Sequence, residues 1–159
     1  MNRRPNVLVF FTDQQRWDAS GLFGNPLELM PNFDRMAQRG TFLRHSCTCQ
    51  PVCGPARACL QTGKYASAVG VPTNGVRLPA DERTLAHCFK DAGYATGYIG
   101  KWHLAENRHA GAVPEDQRGG YDHWLASNLL EFTSNAYDTR LYDNNDDEVH
   151  LPGYRVDAV

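Results

Sequence analysis

The sequence predicts an α/β fold, with a mostly parallel sheet flanked by helices. Residues 7–11 form a continuous β-branched and aromatic run, which is typical of a strand buried on both faces in a parallel sheet. Residues 94–99 predict a second strand, and helix signals fill the chain between the two. With 159 residues, 42% of them hydrophobic, the chain is long enough for one domain with a core of its own.

A short helix and a brief strand are predicted before the cysteine-rich part of the chain. Asn32 can cap the helix with its side chain, and Gly40 can stop it. Residues 41–43 then predict a brief strand.

The clearest helix pattern covers residues 79–92. Asp81 is a candidate cap, and Gly93 suits the position after the last turn. One face of this helix is apolar and includes Leu85, Cys88, Phe89 and Ala92. Cys88 is therefore expected to be a buried and inert thiol.

Charge and hydropathy exclude two classes of partner. A net charge of −2 gives no basic surface for nucleic acid, and no apolar stretch is long enough to span a membrane. The apolar run near the start is too short for a secretory signal, so a cytoplasmic location is expected.

The five cysteines do not have the pattern of a disulfide framework, because their number is odd. Four are clustered, namely Cys47, Cys49, Cys53 and Cys59. They lack a paired Cys-x-x-Cys knuckle, so a zinc-thiolate site is a minor alternative.

The segment from Cys53 to Gly63 combines a nucleophile, a cation and the signals of a helix. Pro55 suits the first helical turn and Gly63 suits the position past the end, so a helix over about residues 55–62 is predicted. Cys53 would then lie at the helix N-terminus, where the backbone favours an anion. Arg57 follows on the same face. The alternative is a structural cysteine before a proline-started helix.

Further polar residues follow the two predicted strands. Asp13 and Gln14 come after residues 7–11, and sites in open α/β sheets form beyond the carboxyl ends of strands. A turn-capping role for Asp13 is the alternative. Lys101 and His103 follow residues 94–99. If the backbone stays extended, they would point the same way and Trp102 would point the opposite way, into packing. Asn74 precedes a glycine, which is first of all a turn signal.

Two of these segments resemble the sulfatase family. Cys53-x-Pro55-x-Arg57 with the following Leu-x-Thr-Gly is similar to the sulfatase signature, and residues 101–104 match a Lys-Trp-His-Leu motif of the family. The resemblance covers residues 5–103. It implies an alkaline-phosphatase-like fold, a divalent cation such as Ca²⁺, and conversion of Cys53 to formylglycine by a maturation enzyme.

The resemblance also implies roles for the candidate residues. Hydrated formylglycine at position 53 would attack sulfur with one hydroxyl, and the other would later expel sulfate. Arg57 would orient that hydrate, and Lys101 and His103 would contact sulfate or handle protons. Asp13 and residue 53 would bind the metal.

Two further positions carry weaker implications. The family usually has a second aspartate where this chain has Gln14, which offers only a neutral carbonyl oxygen as a metal ligand. Asn74 lies where sulfatases often place a substrate-contacting asparagine.

Sulfatases are several times longer than this chain, and no later metal-ligand pair is found before Val159. Residues 1–159 are therefore expected to be the N-terminal part of a sulfatase catalytic domain that hydrolyses a small-molecule or saccharide sulfate ester. Alone, this part would bind metal weakly and turn over little. One alternative is a phosphonate or phosphate ester hydrolase of the same superfamily. The other is a non-catalytic metal- or thiol-binding remnant.

Overall fold

The computed structural model describes residues 4–106 and 110–159. The chain divides into two units, Met1–Cys47 and Thr48–Val159, and the second holds the sheet.

The first unit is organised around helix α1, Pro31–Arg39. Two turns of 3-10 helix precede it, at Trp17–Ala19 and Gly21–Phe23. Asp34 of α1 ties them together, because it accepts hydrogen bonds from the Ser20 hydroxyl at 2.5 Å and the Gly21 amide at 3.0 Å.

Helix α1 begins two residues earlier than the capping signal at Asn32 predicted. Met30 is the N-cap and Pro31 is the first helical residue, so Asn32 lies inside the helix. The fixed φ of proline suits that first position, where an N–H is not needed. Gly40 ends the helix, as predicted.

The predicted strands at residues 7–11 and 41–43 are wrong for the structure as described. Neither stretch forms a strand, and the Leu8 and Phe10 side chains are 87% and 81% exposed. β-Branched and aromatic residues favour a pleated, half-buried surface, which only a neighbouring strand and a covering layer can supply. Residues 7–11 have no place in the described four-stranded sheet.

The second unit contains five helices and four strands among its described residues. The helices are α2 (Cys53–Thr62), α3 (Ala66–Val69), α4 (Leu85–Asp91), α5 (Leu130–Thr133) and α6 (Arg155–Ala158). The strands are β1 (Gly97–Lys101), β2 (His123–Ser127), β3 (Thr139–Tyr142) and β4 (Glu148–Leu151).

The sheet has the order β1-β2-β3-β4. β1 and β2 pair in parallel, and the other two pairs are antiparallel. The predicted α/β class is confirmed, and the described part of the sheet is mixed. β1 lies a few residues later than the predicted strand at 94–99. Asp122 accepts hydrogen bonds from the Thr96 amide and hydroxyl, which holds the entry to β1.

Helix α4 is shorter than the predicted helix at 79–92. Thr84, not Asp81, is its N-cap, and a reciprocal capping box with His87 fixes that start. The prediction that Cys88 is buried is wrong, because the side chain is exposed. The short helix buries Ala86 instead.

The core of the second unit lies beneath the end of β1. Trp102, Leu104, Val71 and Val113 are each fully buried. The Trp102 ring meets that of Trp124 edge-on, with the centroids 5.3 Å apart. This packing fixes the backbone at residues 101–104. Within residues 4–106 and 110–159, every helix is too short or too polar to cross a bilayer.

Candidate active site

Helix α2 places Cys53 as its first residue, as the sequence predicts. Val52 is the N-cap and supplies no side-chain hydrogen bond. Gly63 takes the left-handed conformation at the C-cap, with φ of 68°. The first amides of the helix point past Cys53 and favour negative charge there.

Asn74 takes the place of a conventional N-cap side chain. Its Oδ1 accepts a hydrogen bond from the Gly54 amide at 2.8 Å, and the next residue, Gly75, has φ of 85° in a turn. The turn predicted at Asn74 is confirmed. Asn74 also fixes its loop to the N-terminus of α2, which the sequence did not indicate.

Gly54 allows two other segments to approach the helix start. A Cβ at this position would lie 3.0 Å from Asn74 Oδ1 and 3.6 Å from the His103 carbonyl oxygen. Because those contacts leave little space for a side chain, glycine suits a helical position that it would otherwise weaken. The residue after Cys53 therefore lies beside the segment that carries His103.

Arg57 joins α2 to the carboxyl end of β1. The residue is only 6% exposed, and its Nη1 donates to the Lys101 carbonyl and to the Tyr98 hydroxyl. The Tyr98 hydroxyl in turn donates to the same carbonyl at 2.5 Å. A rigid, always-charged guanidinium is thus fixed between the two candidate segments.

The Lys101 ammonium is buried and pairs with the Glu131 carboxylate at 2.8 Å. The Lys101 side chain is 7% exposed and that of Glu131 is 39% exposed. Partial burial acts to raise the pKa of Glu131. The hydrogen bond from Lys101, a backbone hydrogen bond and the charges of Lys101 and His103 outweigh it and hold the pKa below its usual value.

His103 is buried, at 6% exposure, and its backbone is not extended. Its φ is 57°, so the expectation that an extended backbone aligns Lys101 and His103 is wrong. The charges of both side chains nevertheless lower the pKa of the Glu131 carboxyl group. Trp102 packs into the core, as predicted. A left-handed conformation in a non-glycine residue carries strain that the surrounding structure must hold.

Asn128 holds this left-handed segment in place. Its carbonyl accepts the His103 amide at 2.8 Å, and its Oδ1 accepts the Ala105 amide at 3.2 Å. Neither Asn128 nor Glu131 was predicted from the sequence. One signal could have found them, because they follow β2, and the carboxyl ends of adjacent parallel strands meet at one edge of a sheet.

Asp13 and Gln14 lie in the first unit, at an exposed bend that directly follows residues 7–11. Their place in a metal site therefore stays a prediction. The carboxylate and amide oxygens are hard donors that suit Ca²⁺. Within residues 4–106 and 110–159, no group of three or more His, Cys, Asp or Glu side chains could hold a metal ion. Asp13 and Gln14 would therefore supply only part of the oxygen donors that Ca²⁺ takes.

Comparison with known proteins indicates the same family as the two sequence motifs. The family model described as Sulfatase matches residues 5–156. The ulvan-active sulfatase of Formosa agariphila is 38% identical over 94% of this chain and 29% of its own length. The N-acetylglucosamine-6-O-sulfatase of Bacteroides thetaiotaomicron is 31% identical over 99% of this chain and 26% of its own. The chain therefore spans less than a third of the length of these relatives.

Solved structures share the fold. A protein solved in complex with its substrate, D-glucosamine-2-N,6-O-disulfate, superimposes with a TM-score of 0.81 at 30% identity. The match covers 98% of this chain and 29% of that one. The YidJ protein of Bacteroides fragilis gives a TM-score of 0.75 at 28% identity, over 89% and 35% of the two chains. The chain belongs to the sulfatase family.

Proposed function

We propose that the protein hydrolyses a sulfate ester and that this chain supplies part of the catalytic domain. The observation that carries the proposal is the meeting of α2 with the end of β1. Arg57 bonds to the Lys101 backbone, and Gly54 lies against the His103 carbonyl, so both family motifs are side by side. Membership of the sulfatase family supplies the reaction class.

Two groups would supply chemistry that the twenty amino acids lack. Formylglycine made from Cys53 by a maturation enzyme would provide a hydrated aldehyde as the nucleophile. A divalent cation, Ca²⁺ being the best fit to oxygen donors, would neutralise charge on the sulfate oxygens, with Asp13, Gln14 and residue 53 as its ligands from this chain.

The described residues would bind and orient the sulfate. The N-terminal amides of α2 and its dipole attract an anion next to residue 53. Asn74 keeps that helix end fixed and lies beside it, where it could also contact substrate. Preorganised donors of this kind stabilise charge without reorganising during the reaction.

Lys101 and His103 would act on the same anion. The Lys101 ammonium is held by the Glu131 carboxylate. It would donate a hydrogen bond to a sulfate oxygen without a movement of the backbone. The imidazole of His103 can both accept and donate a proton, which suits transfer of a proton to the leaving alcohol. Arg57 would fix residue 53 and the β1 end relative to each other.

A sulfated saccharide is the substrate class we propose. One structural neighbour is described with D-glucosamine-2-N,6-O-disulfate as its substrate, and several relatives are named as saccharide sulfatases. The sequence of this chain is similar to theirs over nearly its whole length.

The proposal is tested by coexpressing the complete catalytic domain that contains this chain with a formylglycine-generating enzyme. We expect the tryptic peptide 45–57 to lose about 18 Da through conversion of Cys53. We also expect the protein to release sulfate from 6-O-sulfated amino sugars when Ca²⁺ is present. Faster hydrolysis of aryl phosphonate or phosphate esters than of any sulfate ester would overturn the reaction class. An unmodified Cys53 would overturn the nucleophile and favour a thiol-binding remnant.

A further inference from the structure

Two cysteines outside the proposed catalytic set lie near the first turns of helix α2. Cys49 is exposed and precedes the helix, whereas Cys59 is partly buried within it. Neither residue is used in the proposed hydrolysis of sulfate esters. Both cysteines belong to the second unit, Thr48–Val159.

The Cys49 thiol lies against the backbone of the helix. Its Sγ lies 4.0 Å from the Pro55 carbonyl oxygen, in the first turn of α2. Cys59 is four residues after Pro55, so its side chain lies on the same face of the helix. Helical side chains lean toward the N-terminus, which carries the Cys59 thiol over the turn that contains Pro55.

The two thiols share the turn of α2 that contains Pro55, and Cys49 affects the ionisation of Cys59. Burial raises the pKa of the Cys59 thiol, and a hydrogen bond with the Cys49 thiol and its charge act in the same direction. Cys59 is thus the more protected thiol of the pair, and Cys49 is the more accessible one. An accessible thiol beside a second, protected thiol is the arrangement of an attacking and a resolving cysteine.

We propose that Cys49 and Cys59 form a reversible disulfide that ties the loop before residue 53 to the body of α2. A low-molecular-weight disulfide such as oxidised glutathione is the oxidant. The Cys49 thiolate attacks one of its sulfurs and releases one glutathione thiolate, which leaves a mixed disulfide. The Cys59 thiol, losing its proton to water, then attacks Cys49 and releases the second glutathione.

The link would enclose the nucleophile position. Cys53 lies between the two cysteines, so oxidation closes a short loop around the start of α2. A single reversible link of this kind is compatible with an odd number of cysteines. It leaves Cys47, Cys53 and Cys88 out of the pairing.

The test is a non-reducing tryptic digest after incubation with oxidised glutathione. Peptide 45–57 contains Cys49, and peptide 58–64 contains Cys59, so the disulfide joins two separate peptides. We expect the joined pair at about 2 Da below the summed masses, fragment ions that place the link at Cys49, and its disappearance after reduction.

Matched variants locate the link. We expect Cys47→Ser, which removes another exposed thiol two positions away, to retain the joined peptides, and Cys49→Ser to lose them. A link from Cys59 to Cys47 or Cys53 in the wild-type protein would overturn the proposal. Mixed disulfides with glutathione that never resolve to an internal link would also overturn it, and the wild-type digest does not depend on whether a variant folds.

Discussion

Replacing Asn74 by alanine tests how the start of α2 is held. The substitution removes the Oδ1 acceptor 2.8 Å from the Gly54 amide, one of the helix N–H groups without a partner in the helix. Loss of a capping side chain typically lowers the free energy of unfolding by about 1 kcal/mol. Gly54 is buried, so water replaces the acceptor poorly, and we expect the upper part of the range, about 1–2 kcal/mol.

Urea denaturation measures this change. With a slope of about 2 kcal/mol per molar urea, the midpoint should fall by roughly 0.5–1 M. Asn74→Asp keeps the acceptor and adds negative charge at the positive end of the helix, so it should unfold at or above the wild-type midpoint. Asn145→Ala, in an exposed turn before β4, is the matched control and should change the unfolding free energy by less than about 0.5 kcal/mol.

Two results would refute this explanation. If Asn74→Ala unfolds at the same midpoint as the Asn145→Ala control, the Asn74 contact does not stabilise the helix. If Asn74→Asp loses as much stability as Asn74→Ala, the acceptor oxygen is not the group that matters.

Three further perturbations probe the contacts around β1. Arg57→Met and Tyr98→Phe should be non-additive in unfolding free energy by about 1 kcal/mol, because both groups donate to the Lys101 carbonyl; additive losses would contradict the shared contact. Glu131→Gln removes the carboxylate that holds the Lys101 ammonium, so kcat/KM for sulfate release should fall; an unchanged value would show that the pair does not position Lys101. Asp122 accepts hydrogen bonds from Lys90 and Thr96. These hydrogen bonds and the charge of Lys90 lower the pKa of Asp122 to about 2. The stabilisation that ionised Asp122 gives should be complete above the pKa near 4 that the group has in the unfolded chain, and it should be lost as the pH falls toward 2. The melting temperatures of the wild type and Asp122→Asn should therefore converge over that range. A constant difference between them would contradict this role of Asp122.

Local signals predicted the start of the site well. The positions of Pro55 and Gly63 defined α2 within two residues, because the first helical turn and the C-cap impose backbone requirements that few residues meet. The fully buried Trp102 was likewise expected, since an aromatic residue between two polar ones at a strand end must pack inward.

Features that depend on distant residues were not predictable in this way. Glu131 pairs with Lys101 across thirty positions of the chain, and no local pattern encodes that contact. His103 takes a left-handed backbone because Asn128 holds it, and nothing in its own sequence neighbourhood requires this. The apolar run at 7–11 has strand propensity, but among the described residues no strand pairs with it.

The central claim is that residue 53 becomes the nucleophile at the start of α2. The most direct test compares sulfate release by Cys53→Ala and Cys47→Ala after coexpression with the maturation enzyme. We predict that Cys53→Ala loses about a thousandfold or more in kcat/KM, whereas Cys47→Ala retains activity and the peptide mass change of the wild type. Sulfate release by Cys53→Ala at a rate close to that of the wild type would contradict the account.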